Sequence, residues 1–142
     1  MKYSFLQSAM ENGNQTFDCM ELSDLTVTVP FGNHVPSVLE NELNSYIKEK
    51  LLKDELLHLP IQIYQDSDKL ISISVAKSYI FPILLKTTRK SLGYTDVMMA
   101  HKLKFSFLHE YQAFEMEGDP YLSDVLRVIE ELPGFPYYLL FD

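Results

Sequence analysis

Cysteine occurs once in the 142 residues, as Cys19, so no disulfide can close within the chain and the small disulfide-stapled scaffold is excluded. The expectation is a cytoplasmic protein. Long apolar runs are missing too: the longest, Tyr79 to Leu85, falls far short of the roughly 20 residues that span a bilayer, so no membrane association is expected. The opening MKYSFLQSAMENGN has Ser4, Gln7 and Ser8 where a signal peptide needs an apolar core of about 7–15 residues. Without such a leader, Asn14-Gln15-Thr16 reads as a chance match to the glycosylation pattern. Glycine is scarce and scattered. Gly13, Gly32, Gly93, Gly118 and Gly134 each stand alone, which rules out a phosphate-cradling P-loop and a dinucleotide fingerprint.

Positive charge is also in short supply, with 12 Lys and Arg against 20 Asp and Glu, a formal net charge of -8. Bulk nucleic-acid binding, which needs cations to neutralise phosphates, is therefore not expected. The charge is unevenly distributed. Residues 1–68 carry four lysines against eleven acids, a net -7. Residues 69–104 carry seven cations against Asp96 alone, a net +6, and residues 105–142 carry Arg127 against eight acids, a net -7. Either this basic island folds against its acidic flanks and is neutralised, or it forms a surface for an anionic partner.

The chain is rich in apolar residues, at 46%, enough for the core of one domain of ordinary size. Asn12-Gly13 is a hairpin signal between strands at 2–10 and 16–22, and Leu25–Val29 alternates as a third strand. Ser37-Val-Leu-Glu40 has the spacing of a capping box, so a helix is expected from there to about Leu57, with Leu39, Leu43, Ile47 and Leu51 as its inner stripe. Strands are expected at Pro60–Tyr64 and Lys69–Val75, turning at Asp66-Ser67-Asp68. Pro82 suits a first helical turn, so the next helix is expected from about Phe81 to Leu92, stopped by Gly93. The stretch from Tyr94 to Phe107 is ambiguous: Val97 to Ala100 fits a helical turn capped by Thr95, whereas the alternation of Leu103, Phe105 and Phe107 favours a strand at 102–108 paired with 113–117. Asp119-Pro120 opens a last helix that Pro133-Gly134 ends, and Tyr137–Phe141 reads as a short buried strand. The fold expected is α+β, one domain at 1–142, with about three helices on a largely antiparallel sheet in the order βββαββαββαβ.

No catalytic constellation is recognisable, and an enzyme is not expected. Ser74-Val-Ala-Lys77 matches the S-x-x-K of serine acyl enzymes, but 12 Ser and 10 Lys produce about one such match by chance, and no companion motif is present. His34, His58, His101 and His109 never fall three or four residues apart, as two metal ligands on one helical face would. Asp66 and Asp68 begin like a calcium loop, but Leu70 and Ile71 are incompatible with one. Cys19 sits within a strand, where a buried structural thiol is commoner than a nucleophile. No metal and no cofactor are implied.

What remains is surface chemistry. Nine Tyr and nine Phe make the chain 13% aromatic, and the C-terminal cluster of Phe135, Tyr137, Tyr138 and Phe141, together with Tyr94 and Tyr111, is expected to exceed what one small core must contain. The favoured reading is a small acidic protein-binding module, of inhibitor, immunity or anti-defence type, that masks a basic surface on a larger partner. Its candidate contacts are Glu40, Glu42, Asp54, Glu55, Glu115, Glu117, Asp119, Glu130, Glu131, Tyr137 and Tyr138. The alternative is a binder of a small anionic, phosphate-bearing, nucleotide-like ligand through Lys86, Arg89, Lys90, Lys102 and Lys104, with Arg89 gripping phosphate bidentately. A subunit of a larger assembly, such as a phage particle, shares the features of the first reading, and homo-oligomerisation stays open.

Overall fold

The computed structural model describes residues 1–60, 64, 65 and 67–141, and these form two compact units within an α+β chain. Residues 1–53 and 57–75 make the first unit, and residues 54–56 and 76–142 the second. In the first, β1 (Lys2–Glu11), β2 (Asn14–Cys19), β3 (Thr26–Val29) and β4 (Leu70–Ser74) form an antiparallel sheet in the order β3-β2-β1-β4. Asn12 and Gly13, at φ of 53° and 80°, make the turn that pairs Glu11 with Asn14. Both values are positive, as a primed two-residue turn demands.

Period-two alternation decides which face of the sheet is covered. Tyr3, Phe5, Phe17, Cys19, Val27, Val29 and Ile73 are buried on one side, while Thr26 and Thr28 face solvent. Helix α1 (Val35–Leu52) meets both edge strands, β3 and β4, so it lies across that face with Leu39, Leu43, Ile47 and Leu51 turned inward. The stripe is the one expected, but the ends differ. The helix starts at Val35 with Pro36 in its first turn, and the Ser37 hydroxyl bonds the His34 ring nitrogen Nδ1 at 2.7 Å instead of capping a backbone amide. It stops at Leu52, short of Leu57, because Asp54 takes a left-handed φ of 55°. The strand expected at Pro60–Tyr64 and the turn residue Asp66 lie outside the described residues.

All the elements of the second unit are helical. Helix α2 (Lys77–Ser91) is buried on nearly every side from Ile80 to Arg89, as an apolar helix at the centre of a helical unit must be. Pro82 lies inside this helix and does not open it. Having no N–H, it leaves the carbonyl of Ser78 without its i+4 donor. The chain at Gly118 passes so near that a Cβ there would stand 3.0 Å from Ser78 Cβ and 3.1 Å from that carbonyl oxygen. Gly93, at φ 73°, ends α2 as expected, with its own N–H returning to Lys90 and that of Tyr94 to Arg89.

Helix α3 (Asp96–Lys102) is capped by the Thr95 hydroxyl, which accepts from Met98 N at 3.1 Å. The hairpin expected at 102–108 and 113–117 does not exist: Lys104 takes a left-handed φ of 60°, the amides of 103–105 bond back into α3, and Leu108–Glu115 is helix α4. Helix α5 (Leu122–Glu131) follows, beginning two residues beyond Pro120. Tyr137–Leu140 is a 3₁₀ turn, not a strand, and only Leu139 within it is buried. There are thus five α-helices where about three were expected, and four of them belong to the second unit.

Within that unit Phe81, Phe105, Tyr111, Phe114 and Phe135 interlock, with ring centroids 5.2 Å apart for Phe105–Phe114 and 5.5 Å for Phe81–Phe114. No described helix is long and apolar enough to cross a membrane. For the inner stripe of α1, Leu43→Ala should cost about 2–5 kcal/mol through the cavity it leaves. The exposed neighbour Leu52→Ala should stay within about 0.5 kcal/mol. Urea unfolding measures both.

Candidate functional site

The basic island folds onto acids from both flanks. On α2, Lys86, Arg89 and Lys90 fall on one side at i, i+3 and i+4. Arg89 Nε donates to Glu115 Oε2 at 2.7 Å, and its Nη2 donates to Glu115 Oε1 and Asp54 Oδ1, each at 3.2 Å. Its Nη1 reaches the Tyr94 carbonyl at 3.1 Å. Lys86 Nζ lies 3.0 Å from Asp54 and 3.7 Å from Glu115, and Lys90 Nζ lies 3.2 Å from Asp54. The Tyr111 hydroxyl closes the group by donating to Glu115 Oε2. The side chains of Arg89 and Glu115 keep only 6% and 7% of their surface in water.

Three of the five cations considered for an anion therefore hold carboxylates of their own chain, and the bidentate grip of Arg89 is on Glu115. Burial opposes ionisation of Asp54, but hydrogen bonds and charge from Lys86 and Lys90 outweigh it and hold the carboxyl below the usual aspartate range. Burial likewise opposes the charge on Arg89, and Glu115 overcomes it, leaving the guanidinium more basic than usual. The Tyr111 phenol is pushed up by burial and then by the charge of Glu115, so it stays protonated. Lys102 and Lys104, the other two cations, line a small depression of about 110 Å³ with Arg127, Glu130 and Glu131. Lys102 Nζ also lies 4.9 Å from the Tyr94 ring centroid.

Of the candidate partner contacts, Glu115 is thus buried and Asp54 is held by three cations. Glu40 and Glu42 are exposed on α1, and Glu55 is half-buried. Glu117 and Asp119 come together beside a groove of about 320 Å³ in the second unit, with Asp119 N donating to Glu117 Oε1 at 3.2 Å. The groove runs between the start of α2, the 118–120 loop, α5 and the terminal turn. Its walls are Ile80, Phe81, Pro120, Leu122, Val125, Leu140 and Phe141, with Lys77 and Asp119 at the polar margin. Gly118 also lines it, on the segment that closes over Ser78.

Helix α5 explains why apolar surface remains outside. Its apolar residues cover a face wider than the unit uses: Val125, Val128 and Leu132 are buried, whereas Leu122 and Leu126 are exposed. Tyr121 is 80% exposed, Leu122 66% and Phe141 75%. Tyr137 and Tyr138, their rings edge to face at 6.3 Å, stand exposed on the turn that carries Leu140 and Phe141 to the groove. The width of the apolar stripe from Tyr121 to Leu132 is the sequence signal that some of its residues face outward.

Burial, opposed by backbone hydrogen bonds and helped by the charge of Glu21, pushes the Cys19 thiol up to about 12, and its Sγ lies 3.7 Å from Glu21 Oε2. The four histidines are exposed, and among the described residues no three His, Cys, Asp or Glu side chains gather to hold a metal ion.

Two outcomes follow from these geometries. Glu115→Gln should destabilise the protein by about 3 kcal/mol or more, because Arg89 and Lys86 stay buried without their shared carboxylate. Asp54 is ionised more readily folded than unfolded, so its contribution is present above the unfolded pKa and lost as pH falls through the lower folded value. The stability gap between wild type and Asp54→Asn, followed by urea unfolding, should therefore be full above about pH 4 and close below it. Separately, Cys19 should react with a disulfide reagent at about pH 8 only after unfolding, a rate read from thiolate release.

No known protein-family model matches the chain, and no curated protein sequence matches it.

Proposed function

We propose that this chain is a small acidic protein-binding module that covers a basic surface on a larger partner. The single observation that carries the reading is the coincidence, in the second unit, of exposed Tyr121, Leu122, Tyr137, Tyr138 and Phe141 with the acids Glu117 and Asp119. Scattered apolar residues on a surface need no explanation, but several gathered around one groove do. Tyrosine and phenylalanine supply contact area at low cost in rotamer freedom, and the acids would steer a cationic partner toward them. The inhibitor, immunity or anti-defence type is the form of this function in which masking the partner's surface is itself the activity. The phosphate-ligand alternative has less support, since Lys86, Arg89 and Lys90 already bind Asp54 and Glu115.

Native mass spectrometry of the chain purified gently from its own host, at low salt, tests the reading. The expected result is a stoichiometric protein complex that dissociates as salt rises and weakens by about tenfold or more in the double variant Glu117→Lys, Asp119→Lys. A spectrum with no protein partner, or with a small anion in its place, overturns it.

A further inference from the structure

We propose that the groove between α2, α5 and the terminal turn receives the apolar face of a lysine- or arginine-rich amphipathic helix from a partner protein. This inference rests on the protein-binding reading and assigns it a site and a partner chemistry. The volume comes first. A cavity of about 150 Å³ accommodates a benzene ring, so the groove, at about 320 Å³, has room for about two large apolar side chains. Residues four apart on a helix present two such side chains side by side, about 5–6 Å apart.

The walls suit that cargo. Ile80, Phe81, Val125 and Leu140 line the groove, and exposed Leu122 and Phe141 stand at its edge. A strand-like partner is disfavoured because the second unit contains no β-strand among the described residues, so there is no sheet edge for it to extend. Helix-in-groove is the peptide-recognition mode that needs none.

Charge selects among helical occupants. Residues 105–142 hold eight acids and a single arginine; Asp119 lines the groove with Glu117 accepting from its amide, against Lys77 as the one cation in the lining. A second copy of the chain would bring two carboxylates and only one lysine to the same rim, a poorer complement than a helix that carries cations alone. A cationic helix would pair with the carboxylates at the rim while its apolar face enters the groove.

The chain has no tryptophan, so a peptide carrying one reports binding against a dark background. The probe is a synthetic helix of about four turns with Leu and one Trp on one face and Lys on the other. The expected result is a saturable one-to-one blue shift of the Trp emission. A peptide of the same composition in scrambled order, and one with Glu in place of Lys, should each bind about tenfold more weakly or worse. Leu122→Asp and Phe141→Asp should each lower affinity by a similar factor. Both positions are exposed, and circular dichroism verifies that the variants are folded.

Equal binding of the scrambled peptide, or unchanged binding by both variants, overturns the proposal. So does a dimer of the chain, seen by sedimentation, that Leu122→Asp dissociates. If the peptide fails while native mass spectrometry still shows a partner sensitive to Glu117→Lys and Asp119→Lys, the groove assignment falls and the protein-binding reading stands.

Discussion

Glu115 sits where a carboxylate should not be stable, nearly out of water on the short helix α4, and it remains there because Arg89, Lys86 and Tyr111 converge on it. An isolated charge in that position would be neutralised or expelled. With a bidentate guanidinium, a second cation and a phenol, both carboxylate oxygens are satisfied, and α4 is bound in register to α2. The aromatic rings around this bond follow from that docking: Phe114, one residue before Glu115, is placed against Phe81 and Phe105. Such a pair need not add net stability relative to an apolar substitute, whereas losing one partner leaves a buried charge uncompensated.

The same interaction changes the meaning of the charge pattern. A segment of net +6 between two of -7 invites a search for an anionic ligand, and the structure supplies counter-ions from both flanks. Glu117 and Asp119, which the island does not use, stay exposed in the second unit.

Local signals were legible where chemistry forces them. Asn12-Gly13 can hardly avoid a primed turn, Leu39 to Leu51 can bury only one stripe, and Gly93 ends a helix as few other residues do. The misreadings arose where an ordinary residue took an unusual role. Lys104 adopts the left-handed conformation that glycine normally supplies, so the end of α3 carried no visible stop and the alternation after it imitated a strand. Pro82 sits inside a helix where its fixed φ suits the helical backbone, although it removes one donor from the ladder. A run such as Tyr137–Phe141 has no period with which to tell a strand from a 3₁₀ turn. The cations of the central cluster were visible as a group, but their partners were not. Asp54 and Glu115 lie 35 and 26 residues from Arg89, beyond the reach of any local pattern. The groove was hidden for a related reason: it depends on which side of α5 the rest of the unit leaves uncovered.

Strand β3 bears on how one border of the sheet meets neighbouring molecules. It forms one border of the sheet, is four residues long, shows Thr26 and Thr28 to solvent, and hands over at once to Pro30, which has no amide hydrogen to offer. A strand arriving from a neighbouring molecule would find few backbone groups to zip onto, and a proline where the ladder should continue. Association along that border is thereby discouraged by backbone chemistry alone, before any side chain is consulted.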